Sequence, residues 1–413
     1  MNKDQQASKS VNPLNDHSKG NLLSRASSTP STRPLRVAIL GASGSIGTQA
    51  LEIAREHSDK LEVVGLSVHT STEFLVRAAH EFSCRMVCVT DDAHTKDSCL
   101  ESLSEHTKLY TGTEGLIRLI QDDALDCILM GIVGAAAIEP TYVAIKGGKR
   151  IALANKEALV VAGDILMPLV KPGQLFPVDS EHSAIYQCLM GESTPYTTIW
   201  LTCSGGPFYG RTRSELQNVT AYDALKHPSW QMGPKITIDS ATLANKGLEI
   251  IEAHHLFGAD YDQIKTLIHP GSTIHSMVTF VDGSTKAQLA SPSMKIPIAL
   301  AFSYPERWGI KDEPINYQKH TPLSFGEPDM NTFRCLDLAI HAGRLGGTMP
   351  AVMNAANEVA NAAFRAGALD FLGIERIIES TMDCFEVDPI SSVEQLLSIE
   401  KDARQIAKTF ITN

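Results

Sequence analysis

The sequence predicts an α/β protein in three parts: a helix-wrapped parallel sheet, a mixed α+β region and a helical bundle. Three observations carry this. From residue 35 to about residue 170, short apolar strands alternate with helical periods, as in a parallel sheet covered on both faces. Pro172-Gly173 then breaks the alternation. From Thr332 onward the apolar residues recur at helical spacing.

The elements follow in order. Residues 1–34 are rich in Ser, Asn and Lys with few large apolar side chains, and read as a disordered tail. Strands are expected at 36–40, 61–68, 86–89, 127–130 and 151–153, and helices at 46–56, 72–81, 138–146 and 157–170. These make a first domain at 35–178. A second domain at 179–304 mixes strands at 198–201 and 277–281 with a helix at 243–257. The proline-spaced stretch at 305–331 reads as a linker. Val352, Ala356, Val359 and Ala363 share one helix face, so a helical C-terminal domain is expected at 332–413.

Composition narrows the function classes. The chain has 413 residues, 43% hydrophobic and 20% charged, with a formal net charge of -11. Such an acidic chain repels phosphate backbones, so nucleic acid is not an expected partner. A small anion can still bind where donors cluster. No apolar run approaches the roughly 20 residues of a membrane span, and no signal peptide opens the chain. The eight cysteines are scattered. Cys84 and Cys88, four apart in a strand-like segment, would stand about 13 Å from each other, too far for a disulfide. Reduced thiols and a cytoplasmic protein are the expectation.

The first motif is Gly41-Ala42-Ser43-Gly44-Ser45-Ile46-Gly47. It follows the first strand and opens the first helix. Its glycines allow a tight turn and close backbone approach to a pyrophosphate, and the helix start offers free N–H groups. With its strand-turn-helix context it makes a Rossmann-type dinucleotide loop. The second strand ends Ser67-Val68-His69-Thr70-Ser71, without the acid that NAD enzymes place there. That favours NADP, with His69, Thr70 or Ser71 as donors.

A second group of motifs carries hard ligands and anion donors. Asp179-Ser180-Glu181-His182 reads as an extended segment whose two carboxylates point the same way. Oxygen ligands of this kind suit magnesium or manganese. Ser240-Ala-Thr-Leu-Ala-Asn245-Lys246-Gly-Leu-Glu249-Ile-Ile-Glu252 adds further carboxylates and the Lys246 ammonium on a helix face, and Ser240 and Asn245 as phosphate donors near a helix start. Cys203-Ser204-Gly-Gly206 follows a strand and can present N–H groups to an anion. His227-Pro-Ser-Trp230-Gln-Met-Gly233 reads as a lid, a bulky ring between breakers.

With these strings in this order, the chain resembles the 1-deoxy-D-xylulose 5-phosphate reductoisomerase family from about Leu35 to its C-terminus. Ala154-Asn155-Lys156-Glu157, Pro177 to His182, Ser204 to Phe208, His227 to Gly233 and Ser240 to Glu249 carry the likeness. The resemblance implies NADPH- and divalent-metal-dependent rearrangement and reduction of 1-deoxy-D-xylulose 5-phosphate to 2-C-methyl-D-erythritol 4-phosphate, in non-mevalonate isoprenoid biosynthesis. It implies Mg2+, Mn2+ or Co2+ held by Asp179, Glu181 and Glu249, and a substrate phosphate held by Ser204, Ser240, Asn245 and Lys246. Lys156 would stand near the reacting oxygens, and Ser180 and His182 would contact the substrate or orient the carboxylates. His227 and Trp230 would belong to the flap. Ala42, Ser43, Gly44, Ser45, Ile46, His69, Thr70, Ser71, Asn155, Glu157, Gly233, Pro292 and Met294 would lie toward the cofactor. A homodimer with a C-terminal helical bundle is implied.

Two positions depart from the family. Relatives carry Ala-Gly, a basic residue and Asn where this chain has Val68-His69-Thr70-Ser71, and Cys203 replaces a small Ala or Gly. Two rival readings remain at this point. One is an NADP-dependent semialdehyde-type dehydrogenase with Cys203 as nucleophile. The other is a non-catalytic dinucleotide-sensing protein, which requires Asp179, Glu181 and Glu249 to lie apart.

Overall fold

The computed structural model describes residues 33–227, 230, 232–319 and 323–411. The expected tail at 1–34 therefore lies outside the described residues except for Arg33 and Pro34. Pro228, Ser229 and Gln231 of the expected flap, and residues 320–322 of the expected linker, also lie outside them.

Seven strands build the first sheet: β1 (Leu35–Leu40), β2 (Leu61–Val68), β3 (Met86–Val89), β4 (Lys108–Thr111), β5 (Cys127–Met130), β6 (Arg150–Leu153) and β7 (Leu175–Pro177). Between them run α1 (Ser45–Glu56), α2 (Thr72–Phe82), α3 (Gly112–Ile120), α4 (Ile138–Lys146) and α5 (Glu157–Leu166). The order is β4-β3-β2-β1-β5-β6-β7, and every pairing is parallel. Continuous apolar runs such as Val37-Ala38-Ile39-Leu40 are buried because helices cover both faces. β4 and α3 escaped the sequence reading. Lys108-Leu-Tyr-Thr111 is a short, mostly exposed edge strand with no apolar run to announce it.

The direction of winding reverses between β1 and β5, which opens a crevice at their C-terminal ends. The glycine loop fills one wall. Gly41 has φ +77, and a Cβ on Gly47 would stand 2.5 Å from the Gly41 carbonyl oxygen, so the turn and the approach of α1 both need bare backbone. Gly44 caps α1 without a side-chain hydrogen bond, which leaves first-turn N–H groups for a ligand.

The second part comprises α6 (Ser180–Leu189), β8 (Tyr196–Cys203), α7 (Ala221–Ala224), α8 (Pro234–Ala241), α9 (Ala244–Phe257), β9 (Ile264–Ile268), β10 (Ile274–Phe280), β11 (Thr285–Leu289) and α10 (Lys295–Ser303). Its sheet runs β11-β10-β8-β9, with β8 and β9 parallel and the other pairs antiparallel. α6 packs on β10 and β11, and α9 on β8 and β9. Two sequence expectations are corrected here. Asp179 to His182 is not extended: Asp179 is the N-cap of α6, with Ser180 and Glu181 in its first turn. Ser240 and Asn245 do not share a helix: Leu243 takes a left-handed φ of 61 and separates α8 from α9.

The segment after α10 is laid against the first sheet's helices. His57 Nε2 lies 2.6 Å from the Gly309 carbonyl, and the His57 and Trp308 rings are 5.1 Å apart. Then come α11 (Arg334–Leu345), α12 (Met349–Arg365), α13 (Gly373–Met382) and α14 (Val393–Thr409). α11 packs on α9, and α12 packs on α5, α13 and α14. Among the described residues no helix is long and apolar enough to cross a membrane.

The contact of α9 with α11 depends on one small residue. A Cβ on Gly247 would meet the Ala339 Cβ at 2.3 Å. Gly247→Ala should therefore destabilise the fold. The helix-propensity gain of about 1 kcal/mol is outweighed by overpacking of about 1–3 kcal/mol. Denaturant unfolding of the two proteins measures the difference, and an unchanged or raised midpoint would show that α11 moves aside freely.

Candidate active site

The two sheets bring the sequence motifs to one cavity of about 190 Å³. β6 and β7 are neighbouring parallel strands, so the residues just beyond them, Lys156 and Asp179, emerge side by side. Asp179 starts α6 and places Glu181 one turn-fraction on, while α9 brings Asn245, Lys246 and Glu249 from the opposite side. Oxygens of Asp179, Glu181 and Glu249 all lie within 4.8 Å of one another. The expected carboxylate triad is therefore assembled, although by a helix start instead of a strand.

Cations interleave with these acids. Lys156 Nζ pairs with Asp179, lies 2.8 Å from Glu249 and donates to the Asn245 amide oxygen at 2.9 Å. Lys246 Nζ lies 2.9 Å from Glu181 and also pairs with Glu249. Behind them, wholly buried His182 faces Glu252 at 3.0 Å and donates from Nε2 to the Glu249 carbonyl at 2.9 Å. Ser180 Oγ donates to Glu181.

Burial and like charge compete with these pairings. Burial, and then the neighbouring charge of Glu249, push the Glu181 carboxyl up to about 7 against the pull of Lys246. Burial would also raise Asp179, but Lys156 and His182 outweigh it and hold it below the usual carboxylate range. Burial would lower His182, yet Glu252 and Asp179 hold it up at about 9. The same opposition raises Lys156, where Asp179 and Glu249 overcome the loss of water. Crowded acids with hard oxygen atoms are what a divalent cation relieves, so the donor set fits Mg2+ or Mn2+.

The expected anion donors Ser204, Ser240, Asn245 and Lys246 all line the same cavity. Ser204 Oγ accepts from the Gly206 N–H at 3.1 Å and lies 3.0 Å from His227 Nε2. His227 Nδ1 accepts from the Trp230 N–H at 2.9 Å, which leaves Nε2 to donate toward Ser204. Trp230 and Gly233 line the cavity, and the Trp230 ring lies 5.9 Å from that of His275.

The cofactor-side residues divide. Ser45, Ile46 and Met294 reach the cavity. Ala42 is buried, and Ser43 and Gly44 are exposed on the loop. His69, Thr70 and Ser71 are exposed at the end of β2, away from the cavity lining, with His69 Nδ1 3.0 Å from Thr90 Oγ1. Asn155 donates both amide hydrogens, to the carbonyls of Ile132 (2.8 Å) and Gly134 (3.0 Å). Glu157 turns away to accept from Lys235 at 2.6 Å. Pro292 is exposed and His182 is buried behind the carboxylates. Sequence reasoning missed Ala154, Met232, Ile236 and Leu243 as lining residues. They are apolar, and nothing in the sequence separates such residues from ordinary core.

Family models match three stretches: residues 37–163 match 1-deoxy-D-xylulose 5-phosphate reductoisomerase, 175–257 its C-terminal domain and 289–406 the DXP reductoisomerase C-terminal domain. A reductoisomerase of Thermodesulfovibrio yellowstonii is 46% identical over 378 residues, covering 90% of this chain and 98% of the relative. The chain belongs to the 1-deoxy-D-xylulose 5-phosphate reductoisomerase family. Two solved reductoisomerase structures superpose with a TM-score of 0.85. One, from Zymomonas mobilis in complex with NADPH, is 37% identical and covers 92% of this chain and 99% of its own. The other, in complex with NADPH, fosmidomycin and magnesium, is 38% identical and covers 92% and 98%.

In this reductoisomerase the raised Glu181 has a measurable consequence. An ordinary Glu titrates near about 4.3, whereas burial and the Glu249 charge push Glu181 up to about 7. Through that window the folded chain keeps a proton that the unfolded chain has lost. Ligand-free stability therefore falls as pH rises from about 4.3 toward 7. A divalent ion must displace the same proton. Mn2+ affinity should rise about tenfold per pH unit up to about pH 7 and level off above it, with one proton released. Calorimetric titration in buffers of different ionisation enthalpy reads both quantities. Constant affinity across that range would mean that Glu181 is already ionised.

Proposed function

We propose that the chain converts 1-deoxy-D-xylulose 5-phosphate to 2-C-methyl-D-erythritol 4-phosphate, using NADPH and Mg2+ or Mn2+, with Co2+ also compatible. This is a step of non-mevalonate isoprenoid biosynthesis. The observation that carries the reading is one cavity shared by three converging carboxylates, two lysines, a phosphate-type serine loop and the glycine-loop residues Ser45 and Ile46.

Each residue's part follows from its place. Asp179, Glu181 and Glu249 hold the divalent ion, which when bound supplies Lewis acidity to the substrate's oxygens. NADPH supplies hydride. Lys156 and Lys246 swing their ammonium groups from carboxylate to substrate, Lys156 holding a proton at Nζ beside the reacting oxygens and Lys246 meeting the phosphate. Ser204, Ser240 and Asn245 complete the phosphate site, with Ser204 aligned by Gly206 and His227. Ser180 meets the substrate, while His182 orients Asp179 and the backbone of Glu249. His227 and Trp230 belong to a flap that excludes water when it closes.

Ala42 to Ile46 receive the pyrophosphate, and His69, Thr70 and Ser71 the 2′-phosphate. Asn155, which fixes the loop from Ile132 to Gly134, would with Glu157, Gly233 and Met294 belong to the side that holds NADPH. The working form is a cytoplasmic homodimer. The exposed strand β11, at the edge of the second sheet among the described residues, supports association.

The semialdehyde-dehydrogenase reading has no support in the thiol. Burial pushes Cys203 up to about 11, despite the counter-pull of Lys246, and a thiol is a poor nucleophile when protonated. The convergence of the three carboxylates also removes the ground for a non-catalytic sensor.

NADPH oxidation should require both 1-deoxy-D-xylulose 5-phosphate and a divalent ion, and chelation should abolish it. Turnover that persists after chelation would overturn the metal assignment. A second expectation concerns the cofactor. No Arg or Lys stands at His69 to Ser71, so NADPH should be preferred over NADH less strongly than with a basic residue there. Thr70→Arg should widen the kcat/KM ratio by about tenfold, the effect of one charge-assisted contact. An unchanged ratio would place the 2′-phosphate elsewhere.

A further inference from the structure

A second polar cluster lies outside the cavity and joins three separate parts of the chain. Lys235 Nζ lies 2.6 Å from Glu157 Oε1 on α5 and 3.0 Å from Asp239 Oδ2 on its own helix, α8. Asp239 is 1% exposed. Its Oδ1 accepts from Asn357 at 3.0 Å and from Asn361 at 2.8 Å, both on α12. Asn361 also donates to the Lys235 carbonyl at 2.9 Å. Asn357 and Asn361 are four apart, so both amides leave one face of α12.

The neighbours of these residues in sequence give the cluster its meaning. Glu157 follows Lys156, Asp239 precedes Ser240, and Lys235 stands two residues after Gly233 at the end of the flap segment. One ammonium thus ties the lysine loop of the first domain to the helix that carries Ser240 and anchors the flap. Asp239 carries the tie on to the C-terminal bundle. A buried ion pair is weak evidence for stability, because well-packed apolar residues often do as well. What it supplies here is a fixed separation between groups that must act together.

We infer that Lys235 is a positioning residue for turnover: it sets α8 against the Lys156–Glu157 turn, with Asn357 and Asn361 of α12 as the outer support. The C-terminal bundle thereby shares in catalysis without touching substrate. The inference rests on reading Lys156 and Ser240 as site residues.

The test compares Lys235→Met, which keeps the aliphatic stem, with Lys235→Arg, which keeps the charge, and with Asn361→Leu. Melting, NADPH binding by fluorescence, KM and kcat are measured for each full-length protein. Displacement of reacting groups predicts that Lys235→Met lowers kcat by at least about tenfold, with NADPH affinity and KM changed by less than about threefold. Lys235→Arg should recover most of the loss. Asn361→Leu should lower kcat in the same direction, and the double variant Lys235→Met/Asn361→Leu should lose less than the product of the two.

A folded Lys235→Met with normal kcat, or strictly multiplicative losses, overturns the inference. Should Lys235→Met fail to fold, Asn361→Leu decides alone, and normal kcat there overturns it. Wild-type turnover separates the two claims: an inactive wild type overturns both, and an active wild type beside an unaffected variant overturns only this one.

Discussion

Everything around the cavity answers to one electrostatic constraint: buried Asp179, Glu249 and Glu252 and half-buried Glu181 crowd four carboxylates into one small region. Each such charge costs several kcal/mol to desolvate, and neighbours of like sign add to that. The chain offsets this with Lys156, Lys246 and His182, placed among the acids and not around them. Such placement demands rigid supports. The parallel pairing of β6 and β7 supplies Lys156 and Asp179 from adjacent strand ends. The helix α9, buried on nearly every side, supplies Lys246, Glu249 and Glu252 at fixed height. Its all-round burial explains why α11 must press against it at a glycine.

The lysines therefore have two states to serve. Without ligands, they neutralise the acids and keep the cluster from swelling toward water. On the function proposed above, a dication in their place would free them to face an anionic substrate. Metal and substrate would then support each other's binding, since one would displace and the other recruit the same pair of ammonium groups.

Legibility in the sequence followed the range of the interactions. The glycine loop was readable because strand, turn and helix lie within about a dozen consecutive residues, and the physics of pyrophosphate binding is local. The carboxylate triad was readable as chemistry but not as geometry. Asp179-Ser-Glu181 fits an extended segment as well as a helix start, and only packing under β10 and β11 decides between them. The break at Leu243 was invisible because a left-handed leucine has no sequence signature. The tie from Glu157 through Lys235 to α12 joins residues more than a hundred positions apart, and each half alone looks like an ordinary surface charge or helix amide. Residues such as Ile236 and Met232 line the cavity by position alone.

Cys203 shows what the same burial does to a thiol. Cys203 lines the cavity one residue before Ser204, where oxidation to a sulfenic acid would add bulk and polarity to the cavity wall. The oxidisable species is the thiolate. Burial pushes the Cys203 thiol up to about 11 against the pull of Lys246, so this sulfur stays protonated at neutral pH. The loss of water that makes the neighbouring carboxylates costly thus also keeps this thiol chemically quiet, a poor target for peroxide at neutral pH.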